Sequence, residues 1–165
     1  METNIKTIYL GGGCFWGLED MFRNFKGVVD TKVGYAGGEV ENPTYENHKG
    51  HAEVIKVDYD SNIVSFKELL DLFFRVHNPT TLNRQGNDIG DSYRSVIFYQ
   101  NEEELNEAKE IIDLVNRSGK WENPVVTTLE KFEKFNLAEE YHQDYLVKNP
   151  GGYTCHELYF NDSFI

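Results

Sequence analysis

The spacing of apolar residues along the chain predicts strands and helices in alternation. Runs rich in β-branched and aromatic residues predict five strands, at residues 6–10, 28–35, 52–59, 94–99 and 125–132. Apolar positions at helical spacing predict three helices, which begin after Gly13, Ser65 and Asn101. No linker, repeat or low-complexity tract separates these elements. The pattern therefore predicts one domain over residues 1–165, in a mixed α/β or α+β arrangement.

Local signals predict where the helices begin and end. Ser65 and Glu68 have the spacing of a capping box, and Asn101 is a favourable N-cap residue for the third helix. Gly27 is predicted to end the first helix. Asn78 is predicted to end the second, because a residue that precedes proline avoids the helical conformation.

The charge of the chain argues against two classes of partner. The formal net charge is −12 and the sequence pI is about 4.8. Such a field repels phosphate backbones and anionic lipids, so we expect neither nucleic-acid nor membrane-surface binding. No apolar stretch approaches the roughly 20 residues that cross a bilayer. Residues 1–6 lack the basic start and apolar core of a signal peptide, which predicts a cytoplasmic location.

The chain has only two cysteines, Cys14 and Cys155, near its opposite ends. A permanent disulfide is not expected in a reducing compartment, and the default interpretation is two isolated buried thiols. The five histidines are scattered without the spacing of metal ligands, so we predict no metal site and no cofactor.

The surroundings of Cys14 change that interpretation. Gly11-Gly12-Gly13 allows a tight turn between a strand and a helix, which puts Cys14 at the helix N-terminus. The partial positive charge there favours a thiolate, and we predict a nucleophile. Phe15 and Trp16 would form an apolar wall beside the sulfur. The alternatives are a turn with a small buried thiol or a phosphate cradle, although no Lys-Ser/Thr pair follows the glycines.

Three further side chains are candidates for the chemistry. Glu53 stands among apolar residues, a setting that disfavours the charged carboxylate and suits a proton donor. Tyr35 and Tyr93 stand at strand ends, where their hydroxyls can donate hydrogen bonds to a substrate oxygen. The alternatives are a solvated strand end for Glu53 and core packing for both tyrosines. Residues 83–90 form a polar loop that precedes Tyr93, the kind of segment that carries function.

Several segments, in the same order, resemble the A-type methionine sulfoxide reductase family. They are GGCFWG (12–17), GYAGG (34–38), NPTY (42–45), HAEV (51–54), NRQGND (83–88), YRS (93–95) and AEEYHQ (138–143). The resemblance extends from about Ile8 to Cys155, which is nearly the whole chain. An ordered set of motifs is far more specific than any one of them.

The resemblance implies a role for each matching residue. Cys14 corresponds to the nucleophile of the family and Glu53 to its acid. Tyr35 and Tyr93 correspond to the hydroxyls that contact the oxygen, and Asp88 to an aspartate that supports the hydrogen bonds of the site.

The resemblance also implies the substrate and the fold. Phe15 and Trp16 correspond to the pocket that receives the S-methyl group. The implied substrate is methionine S-sulfoxide, free or in proteins, and the implied role is repair of oxidised proteins. The implied fold is an α+β two-layer sandwich with a central mixed sheet, a ferredoxin-like core and an irregular C-terminal tail. We expect a monomer.

The second cysteine lies in residues 149–165, which we predict to form a flexible tail. The glycines of that tail would let Cys155 swing in, and His156 is a candidate to help ionise its thiol. Resemblance to relatives with a Gly-Tyr-x-Cys-His tail implies that Cys155 attacks a Cys14 sulfenic acid. The resulting disulfide would be reduced by thioredoxin. The alternative is a spectator thiol.

The sequence departs from the family pattern in three places. The loop between Tyr45 and Gly50 is shorter than in many relatives, Asn78 replaces a usual aspartate, and Asp91-Ser92 replaces a common Thr-Gln. We expect the shorter loop to change the rim of the pocket. We expect Asp91 to place an acid close to the proposed site and to alter the hydrogen bonding of its loop.

Two other classes of protein compete with this interpretation. A peroxide-reducing enzyme or a thiol transferase would prefer other substrates, but the Cys-x-x-Cys motif of thioredoxin-like proteins is missing. A non-enzymatic binding domain for methionine-like side chains would keep its function in a Cys14→Ser variant.

Overall fold

A computed structural model describes residues 3–165, so the part of the N-terminal prediction that concerns residues 1–2 lies outside the described residues. The strands are β1 (Ile5–Gly11), β2 (Val28–Ala36), β3 (Ala52–Asp60), β4 (Arg84–Gln85), β5 (Asp88–Ile89), β6 (Val96–Tyr99), β7 (Thr128–Lys131) and β8 (Asn136–Leu137). The α-helices are α1 (Phe15–Arg23), α2 (Phe66–Val76), α3 (Glu102–Ser118) and α4 (Tyr145–Lys148). Short 3-10 helices cover Asp91–Tyr93 and Glu140–His142.

Six of the strands form one mixed sheet in the order β7-β6-β1-β3-β2-β8. Strands β6 and β7 are parallel and the other neighbours are antiparallel. Strands β4 and β5 form a separate small hairpin. The prediction of an α+β fold with a central mixed sheet is confirmed. Strands β1 and β3 lie in the middle of the sheet, and the residues that follow or begin them carry the candidate chemistry.

The two faces of the sheet bury different sets of residues because side chains alternate along a strand. One face packs on α1, α2 and α3, through residues such as Leu10, Val57 and Phe73. The opposite face buries a smaller cluster that includes Val54 and Phe98. The segment after β7 covers this second face.

The predicted helix caps are confirmed, and some element boundaries differ. Ser65 and Glu68 form the capping box of α2, and Asn101 accepts a backbone N–H at the start of α3. Helix α1 ends at Arg23, earlier than Gly27 predicts. Strand β7 is shorter than predicted, because the N–H of Val126 donates to the carbonyl oxygen of Pro79 instead of joining the sheet.

The tail over residues 149–165 is irregular, as predicted, and it is held against α2. The Tyr159 N–H donates to the Arg75 carbonyl oxygen at 2.8 Å, and the Phe164 N–H donates to Asp71 Oδ1 at 2.6 Å. Trp121 packs against Phe160 with ring centroids 5.0 Å apart. These contacts anchor the residues that follow Cys155. Among the helices within residues 3–165, none is long and apolar enough to cross a membrane.

The capping box of α2 gives a stability prediction. Replacing Ser65 by Ala removes the acceptor for the Glu68 N–H, and we expect the free energy of unfolding to fall by about 1 kcal/mol. Urea denaturation followed by circular dichroism measures this change. Ser65→Asp keeps an acceptor at the cap and serves as the matched control. Equal losses in both variants would contradict the capping role.

Candidate active site

A glycine-rich turn connects β1, in the centre of the sheet, to the start of α1, where Cys14 lies. Gly13 has a φ of +92°, a left-handed conformation that favours glycine. A Cβ atom on Gly12 would lie 2.9 Å from Phe73 Cε1, so this position also has no room for a side chain. Cys14 is the N-cap residue of α1, and the predicted location at a helix N-terminus is confirmed.

The carboxyl group of Glu53 lies at the same helix terminus. Its side chain projects from β3 and is only 1% exposed. The Phe15 N–H, in the first turn of α1, donates to Glu53 Oε1 at 3.0 Å. Burial raises the pKa of Glu53 to about 8, and the Phe15 N–H only partly opposes this effect. Glu53 therefore carries a proton at neutral pH, as its apolar setting in the sequence predicts.

The Cys14 thiol is also protonated in this state. The residue is 7% exposed, and burial raises its pKa well above the usual range. The second cause is the negative charge that Glu53 carries once it has ionised, above about pH 8. The N–H groups of Trp16 and Gly17 favour the thiolate but do not compensate. The prediction of a thiolate is therefore wrong for the free protein, because the loss of hydration outweighs the partial charge of the helix N-terminus.

Tyr35, on β2, is fully buried and already engaged in a hydrogen bond. Its hydroxyl donates to Glu139 Oε1 at 2.9 Å, while Glu139 Oε2 accepts the Tyr45 N–H at 3.0 Å. Glu139 thus ties the loop between β2 and β3 to the segment before α4. Sequence reasoning did not assign a role to Glu139, although it stands in the AEEYHQ segment.

Two further tyrosines lie close to Glu53. Tyr93 is partly buried at the end of a 3-10 helix, and Tyr45 is at the edge of exposure. Burial is the main reason that the pKa of each is raised, and the charge of Glu53 is the next cause in both cases. The charge of Cys14 also raises both values. Tyr45 belongs to the NPTY segment, but the sequence alone does not identify it as a site residue.

Aromatic rings surround the half-buried side of Trp16. Tyr145 stacks on Trp16 with ring centroids 3.8 Å apart, and the indole N–H donates to His142 Nδ1 at 2.9 Å. Tyr45 lies 4.6 Å from the His142 ring. Phe15 has no exposed surface and packs against the ring of Tyr35, so Trp16 supplies the accessible wall. These rings form an aromatic cup, defined here as Trp16, Tyr45, His142 and Tyr145.

Asp88 interacts electrostatically with both cysteines. Its Oδ2 accepts the Tyr153 hydroxyl at 3.2 Å and lies 3.9 Å from Cys155 Sγ. The charge of Asp88 contributes to the raised pKa of both Cys14 and Cys155, although burial is the main cause for each. Both cysteines are free thiols. The structure therefore brings residues from opposite ends of the sequence to one site.

One residue of the HAEV segment lies outside this cluster of side chains. His51 is buried, its Nδ1 accepts the Gly38 N–H at 3.0 Å and its Nε2 bonds to the Val40 carbonyl oxygen at 2.8 Å. It fixes the start of the loop between β2 and β3. Within residues 3–165, no group of three or more His, Cys, Asp or Glu side chains is placed to hold a metal ion.

An N-cap cysteine with a protonated carboxyl beside it, and a second free thiol nearby, defines a thiol-based redox site. The profile of the family described as peptide methionine sulfoxide reductase matches residues 6–163. A peptide methionine sulfoxide reductase, MsrA 1 of Mesorhizobium japonicum, is 49% identical over 156 residues, which are 94% of this chain and 91% of that protein. The chain belongs to the peptide methionine sulfoxide reductase family.

Solved structures agree with this assignment. Mxr1 from Saccharomyces cerevisiae in reduced form has a TM-score of 0.87 at 42% identity, covering 93% of this chain and 92% of that one. Mxr1 in complex with Trx2 has a TM-score of 0.65 at 30% identity, covering 96% and 94%.

The buried carboxyl of Glu53 predicts a pH-dependent cost to stability. Its folded-state pKa of about 8 lies above that of an exposed glutamate, so the folded protein holds the proton more tightly than the unfolded chain. The stability that this proton contributes is complete below the unfolded pKa and is lost as the pH rises through the folded pKa.

We therefore compare the wild-type protein with Glu53→Gln, which keeps an acceptor for the Phe15 N–H. Between about pH 5 and about pH 8, the wild type should lose at least about 2 kcal/mol of unfolding free energy relative to the variant. Urea denaturation at both pH values measures the unfolding free energies of the two proteins. Because the other titrating groups are the same in both, their contributions cancel in the difference between wild type and variant. A constant difference would show that Glu53 has an ordinary pKa.

Proposed function

We propose that this chain reduces methionine S-sulfoxide, free or in proteins, to methionine, with Cys14 as the nucleophile. Family membership supports this substrate. The observation that carries the proposal is the protonated Glu53 carboxyl held at the helix terminus that Cys14 caps. A sulfoxide sulfur becomes electrophilic only when its oxygen is protonated or strongly hydrogen-bonded, and Glu53 has the proton to give.

The first step transfers one oxygen atom and two electrons. Glu53 donates its proton to the sulfoxide oxygen, and the Cys14 sulfur attacks the substrate sulfur. This attack forms a transient S–S bond between Cys14 and the substrate. The hydroxyl group then moves from the substrate sulfur to the Cys14 sulfur as the S–S bond and the substrate S–O bond break, which releases methionine and leaves Cys14 as a sulfenic acid. Because Cys14 begins as a thiol, its proton returns to Glu53, which restores the acid. The sulfoxide is reduced and Cys14 is oxidised by the same two electrons.

The hydroxyls of Tyr35 and Tyr93 are proposed to hold the sulfoxide oxygen. The Tyr35 hydroxyl donates to Glu139 in the free protein, so it must exchange this partner for the substrate oxygen. A phenol has a single proton to donate, which makes this exchange obligatory. Asp88 is proposed to support the hydrogen bonds of the site, consistent with its influence on the pKa of Cys14.

The aromatic cup is proposed to receive the S-methyl group. Trp16 offers the accessible apolar wall, and the stack with Tyr145 fixes its plane. Phe15 supports the cup from below through its contact with the His142 ring. Burying one methyl group contributes about 1 kcal/mol, enough to orient the small end of the substrate but not to bind it alone.

Cys155 is proposed to complete the cycle. It attacks the Cys14 sulfenic acid, releases water and forms a Cys14–Cys155 disulfide, which thioredoxin reduces. The complex of the yeast relative Mxr1 with Trx2 supports the choice of reductant. A monomeric state and a cytoplasmic location remain predictions from the sequence.

Mass spectrometry of the enzyme mixed with one equivalent of a methyl sulfoxide tests this scheme. We expect one equivalent of methyl sulfide and a protein that has lost two hydrogen atoms through the Cys14–Cys155 disulfide. Cys14→Ser should give no sulfide, whereas Cys155→Ser should give sulfide and a trappable sulfenic acid. Sulfide production by Cys14→Ser would overturn the proposal. Faster consumption of hydrogen peroxide than of the sulfoxide would favour a thiol peroxidase instead.

Removing the proton donor should slow the first step specifically. We expect Glu53→Gln to lower the rate of sulfide formation by a factor of about 10² or more, the usual contribution of a general acid. A stopped reaction with excess enzyme measures this rate. Glu103→Gln changes an exposed residue of α3. It is the matched control and should leave the rate unchanged. A rate in Glu53→Gln equal to that of the control would reject Glu53 as the acid.

The same proton sets the pH dependence of the first step. Glu53 has a pKa of about 8, so the fraction that carries a proton falls above this value. We expect the rate of sulfide formation in the wild type to decline as the pH rises through about 8, and we expect no such decline in Glu53→Gln. A decline in both proteins at the same pH would assign the titration to another group.

A further inference from the structure

The residue directly after Cys155 is buried beneath the glycine turn. His156 is 6% exposed, although it belongs to a segment that the sequence predicts to be a free tail. Its Nε2 lies 2.6 Å from the carbonyl oxygen of Gly12, two residues before Cys14. This short hydrogen bond joins the C-terminal tail to the turn that carries the proposed nucleophile.

The imidazole ring occupies a slot that two glycines leave open. A Cβ atom on Gly17 would lie 2.4 Å from His156 Nδ1 and equally close to Thr154 Oγ1. A Cβ atom on Gly13 would lie 3.2 Å from His156 Nε2. Glycine inside a helix costs about 1 kcal/mol relative to alanine, so Gly17 is unfavourable for α1 itself. Glycine at this position is explained by the space that His156 and Thr154 of the C-terminal tail occupy.

The hydrogen bond to Gly12 fixes which ring nitrogen carries the proton. A carbonyl oxygen only accepts, so Nε2 of His156 must be the donor. In the neutral ring, Nδ1 then has a free lone pair, and it lies 4.0 Å from Cys155 Sγ. Burial lowers the pKa of His156 from its ordinary value, which keeps the ring neutral near pH 7.

Other titratable groups face the same place. Asp88 Oδ2 lies 3.9 Å from Cys155 Sγ, and Tyr153 donates to that carboxylate. Burial and, second, the negative charge of Asp88 raise the pKa of Cys155, which increases the need for a proton acceptor. His77 is buried nearby, and its pKa, lowered to about 3, keeps it neutral.

We propose that His156 has two functions in disulfide formation: it holds Cys155 against the Gly12–Cys14 turn and it accepts the Cys155 proton through Nδ1. This inference rests on the proposed function, because it concerns the step that follows formation of the Cys14 sulfenic acid. The tail in this structure is already docked on the turn that precedes Cys14, through the hydrogen bond between His156 and Gly12.

The step balances in atoms and electrons. Cys155 gives its proton to His156 Nδ1, and the thiolate attacks the Cys14 sulfur. The new S–S bond forms as the S–O bond of the sulfenic acid breaks. The proton on His156 passes to the leaving hydroxide, which departs as water. Cys155 is oxidised, Cys14 is reduced, and the histidine returns to its neutral form.

Two substitutions separate the two functions. In His156→Gln the side-chain amide can still donate to the Gly12 carbonyl oxygen but cannot take up a proton. In His156→Ala both functions are lost. Gly17→Ala fills the slot and tests docking without altering the histidine. Glu157→Gln, on the exposed neighbouring residue, is the matched control.

Rapid quenching after mixing with one equivalent of a methyl sulfoxide gives two rates from each sample. They are the rate of sulfide release and the rate at which the second free thiol is lost, which reports disulfide formation. In His156→Gln at about pH 7 we expect disulfide formation to slow at least tenfold more than sulfide release. That slow rate should then rise about tenfold for each pH unit as hydroxide ionises Cys155, while the wild-type rate changes little. In His156→Ala and Gly17→Ala the same step should slow, and in Glu157→Gln neither rate should change.

The outcomes separate the two proposals. Matching pH profiles for wild type and His156→Gln would overturn the role as proton acceptor. Undiminished disulfide formation in both His156→Ala and Gly17→Ala would overturn the docking role. Absence of a sulfide burst in the wild type would instead reject the proposed function, since that burst precedes any action of His156. The burst also reports that each variant is folded.

Discussion

The hydrogen bond between the Phe15 N–H and the Glu53 carboxyl is the contact on which the site depends. It joins β3 to the first turn of α1 and satisfies a helix N–H that has no partner within the helix. It also holds a desolvated carboxyl beside Cys14 without an ion pair. A cationic partner would have kept Glu53 ionised and removed the proton that the chemistry needs.

Around this contact, the site is assembled from segments that are distant in the sequence. Glu139 binds the hydroxyl of Tyr35 and the backbone of Tyr45, and His142 accepts the indole N–H of Trp16. Each of these bonds connects the segment before α4 to another part of the chain. The aromatic cup is therefore positioned by polar contacts between distant segments rather than by one rigid element.

The sequence allowed the helices, the central strands and the N-cap position of Cys14 to be predicted, because these follow from local periodicity and capping. The protonation of Cys14 was predicted wrongly. A local rule counts the helix terminus but not the burial produced by residues far along the chain. Glu139 was missed for the same reason, since its partner Tyr35 lies 104 positions away. The short β7 likewise reflects a distant bond, from Val126 to Pro79.

The docking of His156 on Gly12 also changes how exposed an oxidised Cys14 would be to further damage. In the proposed cycle, a tail held at both the glycine turn and α2 would keep Cys155 at a high effective molarity, so that a sulfenic acid on Cys14 would be captured within the molecule. Rapid capture shortens the time in which a second oxidant can reach that sulfur. In this scheme the docked tail would limit further oxidation of the Cys14 sulfenic acid to a sulfinic acid, an irreversible reaction to which catalytic thiols are exposed when oxidants are present.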